Sequence, residues 1–401
     1  MLSSVMPTYF NRLPVAFERG EGVWLWDIHG NQYLDAVAGI AVCGLGHSHP
    51  AITKVICDQA AKLIHTSNNY EIPNQEKLAK ALCEISGMEQ AYFCNSGAET
   101  NETALKLTRL FARKKNIANP LVIAMHNSFH GRSLATLSAS GTSRIQIGFE
   151  PLVSHFEHVD FNDIGAVKNS VSLNKESVIA IMLEPIQGDG GICIASNDYL
   201  QQLRKLCDEN DLLLIFDEVQ TGLGRTGKWF AGQHANVLPD ILTVAKTLGN
   251  GFPIGACLAR GKAANLFGPG KHGSTFGGNP LGCAIANEVI RVIKEKNYCE
   301  NAHKVGDYLR HQLSTKLKKY TGVLEVRGKG LMIGIQFDRT CIEIPRLALK
   351  FNILINVVAN CMIRLLPPLI LTQSEADELI TRLDHCLHEF FNTKYIPCYI
   401  Q

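Results

Sequence analysis

No stretch of the 401-residue chain stays apolar for the ~18 residues that a membrane-spanning helix needs. The first twenty residues also lack the charged-then-apolar order of a secretory signal, so a cytoplasmic location with no membrane partner is expected. An excess of one charge is missing too. Lys and Arg number 39 against 37 Asp and Glu, for a net charge of +2. No Lys/Arg run is long enough to follow a phosphate backbone, which argues against nucleic acid as a partner. The cluster Arg113–Lys114–Lys115 reads as a helix C-terminus. None of the 13 cysteines stands in C-x-x-C spacing, and an odd number cannot all pair within one chain. Reduced thiols and no metal site are therefore expected. His47 and His49, just before Pro50, have no accompanying carboxylates and read as a turn rather than as ligands. Internal repeats, low-complexity tracts and long linkers are absent as well.

What is present is ordinary for a soluble enzyme: 46% hydrophobic and 19% charged residues, in a chain long enough for two domains or one elaborated α/β domain. Two short apolar runs, Leu212–Phe216 and Ile241–Ala245, each have strand length and end on charge: Asp217–Glu218 after the first, Lys246 after the second. In a parallel sheet, strand carboxyl ends face the ligand crevice, so both groups would arrive there together. A lysine in that place points to Schiff-base chemistry, and the neighbouring acid to a partner for a cationic ring. The loop between them, Gly222-Leu-Gly224-Arg-Thr-Gly227, matches the dinucleotide fingerprint G-x-G-x-x-G. That fingerprint must follow its strand directly and open a helix, which this loop does not do, so it reads as an active-site loop.

Elsewhere, VWLWDIHGNQYLD gives two strand-like runs about a turn at Asp27–Gly30. A strand ends at Asn95–Ala98 before a long amphipathic helix, a junction whose free N–H groups form either a phosphate cup or an ordinary turn. A strand through Met125 leads to a loop presenting Phe129, His130 and Arg132. Another buried-type strand ends on Glu184. From residue 285 helices and short strands alternate, a smaller α+β domain whose boundary near Asn287 falls inside a helix.

Together, NSGAETNETALKL (95–107), FHGRSLATLSASG (129–141), EPIQGDGGI (184–192), IFDEVQTGLGRTGK (215–228), AKTLGNGFPIGA (245–256) and HGSTFGGNPL (272–281) resemble the class III, ornithine-type, pyridoxal-phosphate aminotransferases. The likeness runs in order from about Pro7 to the 360s and is greatest for the acetylornithine-acting members. It implies an α/β fold of the PLP-dependent transferase fold type I. The large domain, 46–286, would carry a mostly parallel seven-stranded sheet. The small domain would be built from both chain ends, 1–45 and 287–401, and two chains would form a homodimer with shared active sites.

The cofactor would be pyridoxal 5′-phosphate, attached at Lys246, which would also shuttle the proton. Asp217 would pair with the ring nitrogen and Gln220 would lie near the ring oxygen. Gly97 and Ala98 would hold the phosphate, with Thr275 supplied by the partner subunit, and Phe129 would stack on the ring. Arg132 would grip the substrate α-carboxylate, with Glu184 and Ser274 also at the substrate. Where relatives place a glutamate that pairs with the arginine matching Arg364, this chain has Asp189, charged but about one bond shorter. Ile40 stands where ornithine-acting members carry a tyrosine and suits an acylated substrate. The resemblance thus implies transfer of the δ-amino group of N-acetylornithine to 2-oxoglutarate. Succinylornithine, ornithine, 4-aminobutyrate or succinyldiaminopimelate are alternative donors, and a non-catalytic relative keeping the fold is the reading from another class.

Overall fold

Five strands, four of them apolar runs, align in parallel to build the centre of the molecule. They are β5 (Leu121–Met125), β6 (Phe156–Val159), β7 (Val178–Leu183), β10 (Leu213–Asp217) and β11 (Ile241–Val244). With β4 (Gln90–Cys94) and β12 (Gly255–Ala259) they form one seven-stranded sheet in the order β4-β12-β11-β10-β7-β5-β6, in which only β12 runs against its neighbours. The computed structural model describes residues 11–392, so residues 1–10 and 393–401 of the expected small domain lie outside the described residues.

The central strands are buried along their whole length, which explains why they read as unbroken apolar runs. Successive side chains still divide between two cores. Leu214 and Phe216 pack with Leu203 and Val167 on one face; Leu213 and Ile215 pack with Leu107 and Phe111 on the other. Because β10 and β11 are parallel in the register Asp217↔Thr243, both deliver their carboxyl ends to one edge, with Lys246 just beyond β11.

Three smaller sheets complete the chain. β1 (Phe17–Glu21), β2 (Trp24–Asp27) and β3 (Gln32–Asp35) form an antiparallel meander, with the expected turn closed by the Gly30 N–H on the Asp27 carbonyl. β8 (Ile186–Gln187) pairs with β9 (Cys193–Ile194) after the central strand β7. Near the other end, β13 (Val323–Lys329), β14 (Met332–Phe337), β16 (Asn356–Val358) and β17 (Met362–Leu365) form a sheet in the order β13-β14-β17-β16. The short β15 (Ile353–Leu354) joins β3 in parallel and so ties the two chain ends together. The helix Pro280–Glu295 starts with Pro280 in its first turn and an Asn279 side-chain cap, and it runs unbroken through residue 287.

Candidate active site

At the carboxyl edge of the large sheet lies a cavity of about 370 Å³. Gly97, Ala98, Phe129, Arg132, Glu184, Asp189, Asp217, Gln220 and Lys246 all line it, although they come from five separate stretches of sequence. Asp217 ends β10 and is the most elaborately held of them. Its Oδ2 accepts from His130 Nδ1 at 2.8 Å and from Asn101 Nδ2 at 2.7 Å, while its Oδ1 accepts from the Val219 N–H at 3.1 Å. Asn101 also donates to the His130 carbonyl and accepts from the Thr243 hydroxyl, so helix, loop and two strands meet on one carboxylate. Burial works against a charged His130, but the hydrogen bond and negative charge of Asp217 outweigh it and raise its pKa. The acid is thus fixed in place by donors from a helix, a loop and its own strand end.

Lys246 has a positive φ of 48° as it enters the turn after β11. Burial lowers its pKa from the ordinary lysine range; Asp189 opposes the shift and Arg364 adds to it. An amine lowered in this way has more of the neutral form that attacks carbonyl carbon. Burial likewise raises the Glu184 carboxyl, whose oxygens accept the Phe129 N–H at 3.0 Å and the Gly188 N–H at 3.1 Å. Glu184 therefore fixes the backbones of Phe129 and of the turn carrying Asp189.

The helix Gly97–Lys114 starts at the cavity wall. Ser96 Oγ caps the Glu99 N–H, and the Glu99 carboxylate reaches back to accept the Asn95 N–H. The N–H groups of Gly97 and Ala98 have no partner among the described residues, as the geometry of a helix start requires. A Cβ on Gly97 would meet Val219 Cγ1 at 2.6 Å, so only glycine lets the backbone come this close. Two free donors, a glycine-only approach and an acid across the cavity suit a group with an anionic phosphate at one end and a basic ring nitrogen at the other.

The remaining expected residues are placed less directly. Arg364 is 2% exposed and lies behind Asp189, to which its NH1 donates at 2.6 Å, so the shorter aspartate arm still reaches. Ile40 is 42% exposed at φ 65°, in a left-handed run with Ala38 and Ala41, and its neighbour Val42 lines the cavity. Ser274 accepts from Asn95 Nδ2 at 2.9 Å but does not itself line the cavity. Thr275 is exposed and stands apart from this chain's cavity.

The family is decided by comparison with known proteins. Residues 6–387 match the model of the family described as aminotransferase class-III. The chain is 50% identical to the acetylornithine aminotransferase of Nitrosomonas europaea over 98% of its own length and 100% of that protein's. This chain belongs to the class-III aminotransferases. It is also 46% identical to the acetylornithine aminotransferase of Methanothermobacter thermautotrophicus, with 96% of each covered. Among solved structures, the ornithine aminotransferase of Toxoplasma gondii superposes with a TM-score of 0.92 at 34% identity, covering 96% of this chain and 93% of that one. The acetylornithine aminotransferase of Elizabethkingia anophelis gives 0.86 at 32%, with 96% of each covered. As a class-III aminotransferase the enzyme depends on pyridoxal 5′-phosphate.

One expectation is corrected. The loop Gly222–Gly227 is not part of the cavity wall; only Val219 and Gln220, ahead of it, reach the cavity. The glycines instead give close packing, since a Cβ on Gly227 would meet His303 Cβ at 2.9 Å and one on Gly224 would meet Leu369 Cδ1 at 3.2 Å. Glu218 anchors the same segment through the Ala231 and Gly232 N–H groups and the Thr221 hydroxyl. Burial pushes its carboxyl up to about 7. A folded-state pKa above the unfolded one means that the folded state binds the proton more tightly. The resulting stability is complete below about pH 4.5 and is lost as pH rises through about 7, at no more than about 1.4 kcal/mol per pH unit. Glu218→Gln should flatten the fall in denaturant midpoint between pH 5 and 7; an unchanged slope would contradict the assignment.

The linear sequence assigns His130 no task and gives no sign of Thr243. Asn101 does carry one: four residues after Gly97, it is a polar side chain on the buried face of an amphipathic helix.

Proposed function

We propose that the enzyme transfers the δ-amino group of N-acetylornithine to 2-oxoglutarate, giving N-acetylglutamate 5-semialdehyde and glutamate, a step of arginine biosynthesis. The observation that carries this reading is the full-length identity of 44–50% to proteins named acetylornithine aminotransferase, joined to a cavity holding both Asp217 and Lys246. Those two groups also weigh against a non-catalytic relative.

When bound, pyridoxal 5′-phosphate supplies an electron sink for the carbon that bears the reacting amine. Asp217 would hold the ring nitrogen protonated and Gln220 would lie at the ring oxygen. Gly97 and Ala98 would bind the phosphate through their backbone N–H groups, and Phe129 would cover the ring. Lys246, its amine lowered toward neutrality, would attach the cofactor and then carry the proton between the two carbons that exchange it. N-acetylornithine has no carboxylate on its reacting carbon, so its α-carboxylate lies at the far end and suits Arg132, at the cavity wall. Glutamate and 2-oxoglutarate do have one there. That near carboxylate suits Arg364, which is close enough to Lys246 to lower its pKa and becomes available when Asp189 swings aside. The apolar Ile40 suits the acetyl group, and Ser274 would support the wall through Asn95.

The same reading keeps 46–286 as the cofactor domain and the two chain ends as the smaller one, supported by the pairing of β15 with β3. It makes the enzyme a homodimer with shared sites. Thr275 precedes Phe276, an exposed aromatic whose ring packs on His65, next in sequence to exposed Ile64; exposed apolar side chains of this kind suit a second copy. A cytoplasmic location agrees with the absence of disulfides among the described cysteines and of any helix there long and apolar enough to span a membrane.

Single half-reactions of the purified holoenzyme, followed by cofactor absorbance, test the substrate. N-acetylornithine should react faster than ornithine, in a preparation running at twice the chain mass. Faster conversion of ornithine overturns the donor assignment, and a species of single-chain mass overturns the shared site.

A further inference from the structure

Arg225 and Arg364 have the largest side chains among the fully buried described residues, and Arg225 sits in the loop that lost its cavity role. Its NH1 donates to the Leu331 carbonyl at 2.9 Å and to the Pro367 carbonyl, while its Nε and NH2 have no partner among the described residues. No carboxylate pairs with it among those residues, and burial draws its pKa down to about 9. A buried charge in this state is costly, and a long apolar side chain would fill the space at lower cost. Bulk alone therefore does not account for an arginine here.

The two carbonyls it holds explain the choice. Leu331 immediately precedes β14 and Pro367 follows the end of β17, and the antiparallel register Ile333↔Leu365, Gly334↔Arg364 brings both to the same end of the strand pair. The Leu331 N–H returns a bond to the Arg225 carbonyl at 3.0 Å, closing a ring between loop and strand. Five residues earlier in the loop, Gln220 Oε1 accepts from Arg364 NH1 at 3.3 Å. One loop thus holds Arg364 at both ends: its strand through Arg225 and its guanidinium through Gln220.

We propose that Arg225 is a positioning residue for Arg364, registering the end of the β14–β17 pair against the loop that carries Gln220 so that the near carboxylate of the dicarboxylate substrate is met at the right place. This rests on the reading of Arg364 given above. Arg225 does not line the cavity, and its effect should be confined to the half-reaction that uses Arg364.

Holoenzymes carrying Arg225→Met and Arg225→Lys test this. Arg225→Met should keep the wild-type cofactor absorbance and react with N-acetylornithine within about twofold of wild type, while the KM for 2-oxoglutarate rises about tenfold, as a small displacement of a binding group would cause. The dissociation constant of glutarate, an unreactive dicarboxylate, should rise by the same factor. In an Arg364→Ala background the further loss from Arg225→Met should be less than about twofold, because coupled residues are not additive. An equal fall in both half-reactions, no change in either, or an undiminished loss in the Arg364→Ala background would overturn the proposal. If Arg225→Met does not fold, Arg225→Lys decides. A compact ammonium cannot reproduce the planar fork, so a selective rise of about threefold supports the role, and an unchanged or unselective response overturns it. Wild-type turnover of 2-oxoglutarate, and its loss in Arg364→Ala alone, tests the reading of Arg364 separately.

Discussion

Lys246→Ala is expected to lower turnover by about 10⁴-fold or more, since removing a nucleophile that also carries the proton leaves only binding and orientation. The purified variant should also lack the visible colour that attachment of the cofactor to the lysine gives. The size of the effect follows from the surroundings. Lys246 is the one lysine lining the cavity, burial lowers its pKa, and it is held on a backbone turn with positive φ. No other primary amine lines the wall to take over: the basic side chains left there are the His130 imidazole and the Arg132 guanidinium. The Asp217, His130 and Asn101 network does not involve Lys246, so the protein should fold with an unchanged thermal midpoint in the absence of cofactor. Retained colour and turnover would remove Lys246 from its role.

Asp217→Asn should lower kcat by about 10²–10³-fold, the usual loss when a preorganised charge is removed from a developing charge in a buried site. Asparagine preserves volume but not charge, so the ring nitrogen of the cofactor would lose the partner that keeps it protonated. Its amide can accept on one side only. Either both the Asn101 and His130 donors that now meet Oδ2, or the Val219 N–H on Oδ1, then face an N–H₂ group. The pKa of His130, raised chiefly by Asp217 against its own burial, should fall in the variant. Proton NMR of the buried imidazole in the cofactor-free protein reads that change without depending on activity. An activity within tenfold of wild type, with His130 unaltered, would separate Asp217 from the ring.

Much of this site was legible in the linear chain. Strand-length apolar runs that end on Asp217, Lys246 and Glu184 declare a buried parallel sheet, because only strands covered on both faces can be apolar at every position. A small-residue junction before an amphipathic helix declares Gly97 and Ala98 as free donors. The loop Gly222–Gly227 misled because glycine spacing reports backbone freedom and close approach, and does not say to what. Here the approaching groups are His303 and Leu369, far along the chain, rather than a ligand. His130 and Asn101 gained their meaning only when a helix and a loop were folded against the end of β10.

By itself, then, the sequence determined the class of chemistry and the strands that deliver it, since those depend on residue type, on local periodicity and on charges at strand ends. Only the tertiary structure decided that the Asp189 arm reaches Arg364, that Asp217 is braced from three sides, and that Arg225 ties the cofactor loop to β14 and β17. The physical reason is the same in each case. Apart from the Val219 N–H, these are bonds between groups 87 to 175 residues apart, and their distances are set by how the sheets pack rather than by any spacing along the chain.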